Sequence, residues 1–205
     1  MDDTKIFIVG AKGQLGTALR AIYPNADSAD IDEMDITDRA SVEKYDWTNI
    51  DAVINAAAYT NVDGAETAEG RIVSWKVNAS AVANLVSVCR KHDMTLVHIS
   101  TDYVFDGTVE PHTEDESLSP LSVYGSSKAA GDLLVEQLEK FYLLRTTWVI
   151  GEGNNFVRTM LGLAQKDTSP TVVADQIGRI TFTSELVRAV DHLVSTKAAY
   201  GIYNV

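Results

Sequence analysis

A doubly wound α/β fold, a parallel sheet covered by helices on both faces, is predicted by three features of the sequence. Short apolar runs alternate with stretches of helical period. The runs are mostly continuous, without the in-and-out alternation of a half-exposed sheet, and the first leads through a glycine-rich turn into a helix. The 205 residues, 45% of them hydrophobic, suffice for one substantial core, so one domain, or one domain with a small appendage, is expected.

Taken in order, the first strand is "KIFIVG" (Lys5 to Gly10). Directly after it, "GAKGQLG" places Gly10, Gly13 and Gly16 in a G-x-x-G-x-x-G pattern that opens the helix "QLGTALRAI". Glycines let the backbone turn tightly and approach a diphosphate, whose charge faces the N–H groups of a helix start. Lys12, Gln14 and Leu15 lie between the glycines and belong to the same candidate dinucleotide site. The spacing differs from G-x-G-x-x-G, so the reading rests on its position at the first strand-to-helix junction. An acid is then expected to bind the adenosine ribose. "ADSADIDEMDITD" supplies Asp30 for the ribose diol, with Asp35 and Ile36 for the adenine edge. No arginine follows Asp30, where a 2'-phosphate would need one, so NADH is slightly favoured; Lys12 keeps NADPH open.

The next strand is "DAVINAA" (Asp51 to Ala57), followed by a helix on which Val82, Leu85, Val86 and Cys89 form one stripe. Cys89 is the only cysteine, so it reads as a packing residue and no disulfide framework exists. "TLVHIS" (Thr95 to Ser100) is the third strand, and "STDYVFDG" (Ser100 to Gly107) ends it with hydroxyls, acids and aromatics where a plain turn needs only Gly, Asn or Pro. Asp106 to Pro120 is the longest loop-like stretch. Ala130, Leu134 and Leu138 mark a further helical stripe, and "YLLRTTW" (Tyr142 to Trp148) a strand. Gly151 to Phe182 breaks the rhythm with a glycine-rich turn, a helix carrying Phe156 and Met160, and a short "TVVA" strand. It reads as an excursion toward the carboxyl ends of the strands, where such folds bind ligands. A helix with Leu186, Ala189, Val190 and Leu193 and the strand "GIYNV" close the pattern. The expected division is residues 1–150 for dinucleotide binding, 151–182 for part of a substrate-binding lobe, and 183–205 for a helix and strand returning to the sheet.

Composition excludes several classes of function. Seventeen Lys and Arg against 29 Asp and Glu give a formal charge of -12, with no basic run long enough to track a phosphate backbone, so nucleic acid is not an expected partner. No apolar run approaches bilayer-spanning length and "MDDTKIFIVG" lacks the form of a signal peptide, which points to a cytoplasmic protein without a membrane partner. His92, His98, His112 and His192 are scattered, none at metal-ligand spacing, and read as structural or solvated; no metal is assigned.

The residues that carry chemistry lie downstream. "YGSSK" puts Tyr124 and Lys128 four residues apart, on one face of a helix turn. A phenol titrates near pH 10, and a neighbouring ammonium favours its phenolate, so the pair forms a tunable proton donor. Following the "STD" strand end, it lets the Thr101 hydroxyl, the Tyr124 phenol and the Lys128 ammonium converge beside a cofactor. Thr101 would hydrogen-bond the oxygen that Tyr124 protonates, and Asp102 to Gly107 would shape the substrate wall.

The blocks "GAKGQLG", "NAAAYTNVDGAE", "VNA", "STDYVFDG", "YGSSKAAG", "RTTWVIG", "NNFVRTML" and "DQIGRITF", in this order, resemble the extended short-chain dehydrogenase/reductase superfamily with its Rossmann sheet. "STDYVFDG" with "RTTW" and "DQIG" is similar to the dTDP-4-dehydrorhamnose reductase family within it. The resemblance covers essentially the whole chain. It implies reversible hydride transfer from NADH or NADPH to the 4-keto carbon of a dTDP-linked 6-deoxyhexose. Thr101, Tyr124 and Lys128 would be the catalytic triad, with Lys128 lowering the Tyr124 pKa and bonding the nicotinamide ribose. Ala56, Ala57 and Ala58 would line the cofactor channel, and Asn78 would support the proton relay. Asp102, Tyr103, Trp148, Asn155 and Arg179 would meet the sugar or its diphosphate; Trp148 also fits a strand-end core residue.

Two departures and two rivals accompany the resemblance. Ile180 stands where the family has proline, and relatives continue beyond "GIYNV", so an expressed piece of a longer or fused chain is expected, with its cofactor site kept and its sugar-nucleotide binding weak. A monomer or homodimer is expected, with a 3,5-epimerase as fusion or working partner. A nucleotide-sugar dehydratase or epimerase is one rival, against which Tyr103 occupies the place of the usual acid. The other is a non-catalytic regulatory subunit resembling the β subunit of methionine adenosyltransferase, for which intact Thr101, Tyr124 and Lys128 would have no use.

Overall fold

The computed structural model describes residues 2–153 and 155–205. Its first strand, β1 (Ile6–Val9), is buried at all four positions and turns at Gly10 into helix α1 (Gln14–Ile22). Strand β2 (Asp27–Ala29) and the short helix α2 (Arg39–Lys44) follow, then β3 (Ala52–Asn55), also fully buried. Helices α3 (Val62–Ala65), α4 (Ala68–Trp75) and α5 (Ala81–His92) come next; a π-helical turn over Lys76–Ser80 joins the last two. Strand β4 (Thr95–Thr101) ends in a 3-10 turn at Asp102–Val104. After the long loop come α6 (Val123–Val135), β5 (Phe141–Thr146) and the two-residue β6 (Val149–Ile150). The chain closes with α7 (Phe156–Gln165), β7 (Thr181–Phe182), α8 (Thr183–Thr196) and β8 (Gly201–Asn204).

Six strands form one parallel sheet in the order β2-β1-β3-β4-β5-β8, while β6 and β7 pair separately. Alternate side chains of each central strand feed two cores. Ile6 and Ile8 pack with Leu19, Leu186 and Val190, under α1 and α8. Phe7 and Val9 pack with Trp47, Leu85 and Val135, under α2, α5 and α6. Cys89 lies in that second core, where burial pushes its thiol up to about 12 and keeps it unreactive. Strand order reverses between β1 and β3, and at such a switch the loops leaving the two carboxyl ends diverge to open a crevice.

The structure differs from the sequence reading at four points. β2 was not expected, since "DSA" carries no apolar run; Val9 registers opposite Ala29 and so places Asp30 beside the glycine loop. The "TVVA" strand does not form: Val172 and Val173 are 47% and 66% exposed, and Val149 and Ile150 pair with Thr181 and Phe182 instead. The expected stripe is only part of the buried face near α6: Leu134 packs against the core and Leu138, just past the helix end, is buried in it, but Tyr124, Ser127, Lys128, Asp132 and Val135 are turned inward as well. Finally, Ala68–His92 makes one continuous helical run of 25 residues, with an 18-residue stretch of mean hydropathy 1.3 that is long and apolar enough to cross a membrane by length and composition. Half of that stretch is buried, and its Ser74 and Asn78 bond to Ser127 of α6.

Two glycines of the first turn are required by geometry. Gly10 has φ +78°, where a side chain strains the backbone, and an added Cβ would stand 2.7 Å from the Ala57 nitrogen. A Cβ on Gly16 would stand 2.0 Å from the Gly10 carbonyl oxygen, a backbone atom that cannot rotate away. Gly16→Ala is therefore expected to lower stability by about 1–3 kcal/mol, read as a lower urea midpoint at unchanged slope.

Candidate active site

The end of β4 is built by its own polar groups. The Thr101 hydroxyl oxygen accepts from Tyr103 N–H at 3.2 Å, capping the 3-10 turn, and its proton goes to Asp102 Oδ1 at 3.1 Å. Val104 and Phe105 bury beneath the following loop with Ala129 of α6. Asp106 then holds Thr108 through both its N–H and O–H, and Gly107 turns with φ +74°. Tyr103 stands edge-on to Tyr124, with ring centroids 5.7 Å apart.

Ser122 caps α6 by accepting Gly125 N–H, which fixes where Tyr124 and Lys128 begin their face. Tyr124 is buried, which pushes its phenol up to about 12; the Thr101 hydroxyl acts in the opposite direction, and Asp102 and Tyr103 add to the rise. Lys128 is 2% exposed, and its ammonium donates to the Ile99 carbonyl at 2.6 Å. Burial pulls its amine from 10.5 down to about 8, opposed by Asp132. The expectation that Lys128 depresses the Tyr124 pKa is corrected by this geometry: desolvation dominates at the phenol, and the ammonium is engaged by the sheet. One turn further, Asp132 is raised by burial against the pull of Ser100, Lys128 and Arg145, whose Nε donates to Asp132 Oδ2 at 3.2 Å. His98, fully buried on β4, faces Lys128 Nζ at 3.4 Å.

The dinucleotide half lies over β1, β2 and β3. Gly13 heads α1 without a side-chain cap, so backbone N–H groups at the helix start face the crevice. Asp30 Oδ2 accepts Lys12 N–H at 2.8 Å, and Oδ1 accepts Ile31 N–H at 2.9 Å. The Lys12 ammonium lies 2.9 Å from both Asp32 and Glu33, which raises its pKa. Asp35 is turned to Thr37, accepting its N–H and O–H, and the Ile36 carbonyl takes Asn84. A hollow of about 470 Å³ is lined here by Gly10, Asp30, Asp35, Ile36, Ala57 and Val77, among others. It shares Lys12, Gly13, Ala56 and Ala58 with a second hollow of about 590 Å³, which reaches Thr101, Tyr124 and Lys128. A glycine cradle, an uncapped helix start and an acid at the β2 end make this crevice fit a dinucleotide, by the shape of the backbone and the chemistry of its donors.

The larger hollow also receives Gln14, Leu15, Asp102, Tyr103 and Trp148. Trp148 has φ +39° and is 41% exposed, so it is not a strand-end core residue; its ring lies against Gly178. Asn155 and Arg179 line neither hollow. Asn155 caps α7 by accepting Arg158 N–H and donates to the Gly151 carbonyl, while Arg179 is exposed on an irregular segment. Asn78 also differs from expectation: its amide bridges the N–H and C=O of Tyr59 and donates to Ser127, bracing the loop after β3. Three residues of the site were missed by sequence reading: His98, Asp132 and Arg145. Their signals were a histidine inside an apolar strand, an acid four residues after Lys128, and an arginine amid "YLLRTT".

The family described as "RmlD substrate binding domain" matches residues 4–205. A dTDP-4-dehydrorhamnose reductase of Aggregatibacter actinomycetemcomitans is 38% identical over 214 residues, covering 98% of this chain and 72% of the relative. That of Mycolicibacterium smegmatis is 39% identical, covering 97% and 62%. The chain belongs to the dTDP-4-dehydrorhamnose reductase family. Among solved members, the enzyme of Clostridium acetobutylicum superposes with a TM-score of 0.90 at 38% identity, over 98% of this chain and 73% of that one. The Bacillus anthracis reductase in complex with NADP gives 0.89 at 36% identity, over 98% and 73%. The extended short-chain dehydrogenase/reductase fold expected from the sequence is the fold of this family.

The buried ammonium has a thermodynamic consequence. Lys128 titrates lower in the folded state than unfolded, so its charged form is penalised below about pH 8, and stability rises as pH climbs from about 8 to 10.5. Lys128→Met is expected to be more stable than the parent at pH 7, by about 2–3 kcal/mol. That gap should close between about pH 8 and 10.5 in urea titrations.

Proposed function

We propose that this chain reduces the 4-keto group of a dTDP-4-keto-6-deoxyhexose with NADH or NADPH, giving the product dTDP-L-rhamnose. The observation that carries the reading is the meeting of the glycine loop with Thr101, Tyr124 and Lys128 around one crevice. Residues 1–150 would hold the dinucleotide, 151–182 would form part of the substrate-binding lobe, and 183–205 return to the sheet. A relative in this family is solved with NADP, and relatives of similar identity are dTDP-4-dehydrorhamnose reductases.

The reduced nicotinamide, when bound, supplies the hydride. The chain's own residues handle the oxygen and the proton. Thr101 can hold the ketone oxygen by its hydroxyl, while the Tyr124 O–H transfers its proton to the oxygen as the C–O bond becomes single. A phenol held near 12 stays protonated at neutral pH, so it meets the ketone as an acid. Lys128 can return a proton to the phenolate left behind, because burial has brought its own value down to about 8. Gly13 and the start of α1 would meet the diphosphate, Asp30 the adenosine ribose and Ile36 the adenine, while Trp148 and Tyr103 line the sugar side of the crevice.

Following nicotinamide absorbance with a dTDP-4-keto-6-deoxyhexose tests the reading. Tyr124→Phe should lower the rate about 10²–10⁴-fold while dinucleotide binding persists; binding without oxidation by the parent would make the chain a dinucleotide-binding subunit instead. Cofactor choice should respond to the acids around Lys12. Replacing Asp32 and Glu33 by Asn and Gln frees an ammonium beside the ribose and should raise the NADPH-to-NADH ratio of kcat/KM by about tenfold at low salt.

A further inference from the structure

Three buried polar side chains form a line across the sheet: Asn55 on β3, His98 on β4 and Lys128 on α6, at 1%, 0% and 2% exposure. The orientation of the first is fixed. Asn55 Oδ1 accepts Ala57 N–H at 3.1 Å, so its Nδ2 must be the atom that meets His98 Nδ1 at 3.0 Å. An amide nitrogen only donates, so Nδ1 is an acceptor and carries no proton. A neutral imidazole then bears its proton on Nε2, and Nε2 is the atom 3.4 Å from Lys128 Nζ. His98 stays neutral because burial and the neighbouring Lys128 charge both hold its pKa well below the ordinary imidazole range.

An N–H aimed at an amine nitrogen treats its two protonation states unequally. The neutral amine accepts it through its lone pair and still donates an N–H to the Ile99 carbonyl. The ammonium has no lone pair and meets the positive end of the N–H dipole. We infer that His98 is a positioning residue for Lys128: Asn55 locks its tautomer, and the locked Nε2–H holds the amine against β4 and favours release of its proton. The inference deepens the reductase reading and rests on it for the role of Lys128 as proton source. The charged and titratable groups around Lys128 are accounted for. Asp132, on its own helix, favours the ammonium but is shared with Arg145 of β5; Tyr124 lies one turn back on the same face; and β4 presents His98 and the Ile99 carbonyl.

The test does not require turnover. In the 205-residue protein labelled with ¹⁵N-histidine and ¹³C-lysine, the imidazole nitrogens give the tautomer and the Lys128 ¹³Cε shift gives its titration, with His98→Leu and Lys128→Met assigning the signals. The expected result is a His98 that stays neutral with its proton on Nε2 from pH 5.5 to about 9, and a Lys128 titration that rises by about one unit in His98→Leu. His98→Gln keeps an N–H in reach of the amine and should bring it back toward the parent value. A proton on Nδ1, a His98 that titrates near neutrality, or a Lys128 titration unmoved in both variants would overturn the inference. If His98→Leu does not fold, His98→Gln and Asn55→Ser decide it, the latter expected to mix the two tautomers and to raise the Lys128 titration. Absence of nicotinamide oxidation by the parent overturns the reductase reading alone, because the tautomer and titration are read in the ligand-free protein.

Discussion

A charged lysine lies where a core would place leucine, and the neighbouring structure is arranged around it. α6 turns Tyr124, Ser127, Lys128 and Asp132 toward the sheet and α4, and the last three have partners there. Ser127 bonds Ser74 and Asn78, Lys128 bonds the Ile99 carbonyl, and Asp132 takes Arg145. Apolar packing is non-directional and would tolerate a helix slid along the sheet. Hydrogen bonds at these distances do not, because a shifted helix leaves several buried groups unpaired at about 1–3 kcal/mol each. The polar face that makes α6 a costly core helix is what locates the phenol and the amine to within a bond length.

The cofactor side is governed by a different constraint, the close approach of backbone to backbone. Gly10 lies against Ala57, and Gly16 against Gly10, with no room for a methyl group at either. That contact draws the start of α1 down onto the ends of β1 and β3, where the strand order reverses. The acid at the β2 end completes the cradle by taking Lys12 N–H. Here side chains are subtracted to make the site, whereas on α6 they are added.

This division explains what was legible in the sequence. Strands buried on both faces announce themselves as unbroken apolar runs, and β1, β3, β4 and β5 fall within a residue or two of their expected ends for that reason. The glycine loop was equally plain, because only backbone geometry calls for glycines at that spacing. β2 was silent, since a three-residue strand of Asp, Ser and Ala is held by hydrogen bonds to β1 and not by burial. The inward face of α6 is only partly legible, because a periodicity rule follows apolar residues such as Leu134 and Leu138, and this helix buries polar ones beside them. Tyr124, Lys128 and Thr101 were found by chemistry, as an acid, a charge and a hydroxyl at suggestive spacing. His98, Asp132 and Arg145 escaped because their roles exist only across strands, in a register that no linear spacing displays. Asn155 and Asn78, expected at ligands, hold protein partners here, Asn155 capping α7 and Asn78 bracing the loop after β3.

Gln14 is one point where the two halves of the crevice meet. Gln14 opens α1 immediately after the glycine loop, and its Oε1 accepts Gly151 N–H at 3.0 Å, with Asn155 Nδ2 at 3.5 Å. The segment it holds has little else to fix it. None of the described residues of α7 is buried, and Phe156, Leu161, Val173 and Ile177 are all more than half exposed. Burial of apolar surface therefore does not set where this segment leaves the sheet; the β6 and β7 pairing, the Asn155 cap, the Gln14 bond and the Gln176 bond to the Tyr103 hydroxyl do. Gln14 belongs to the first turn of α1, so that turn and residue Gly151 are held together directly. The segment is thus tied to the first helix turn and to the end of β4 by hydrogen bonds, at the place where its packing is thinnest.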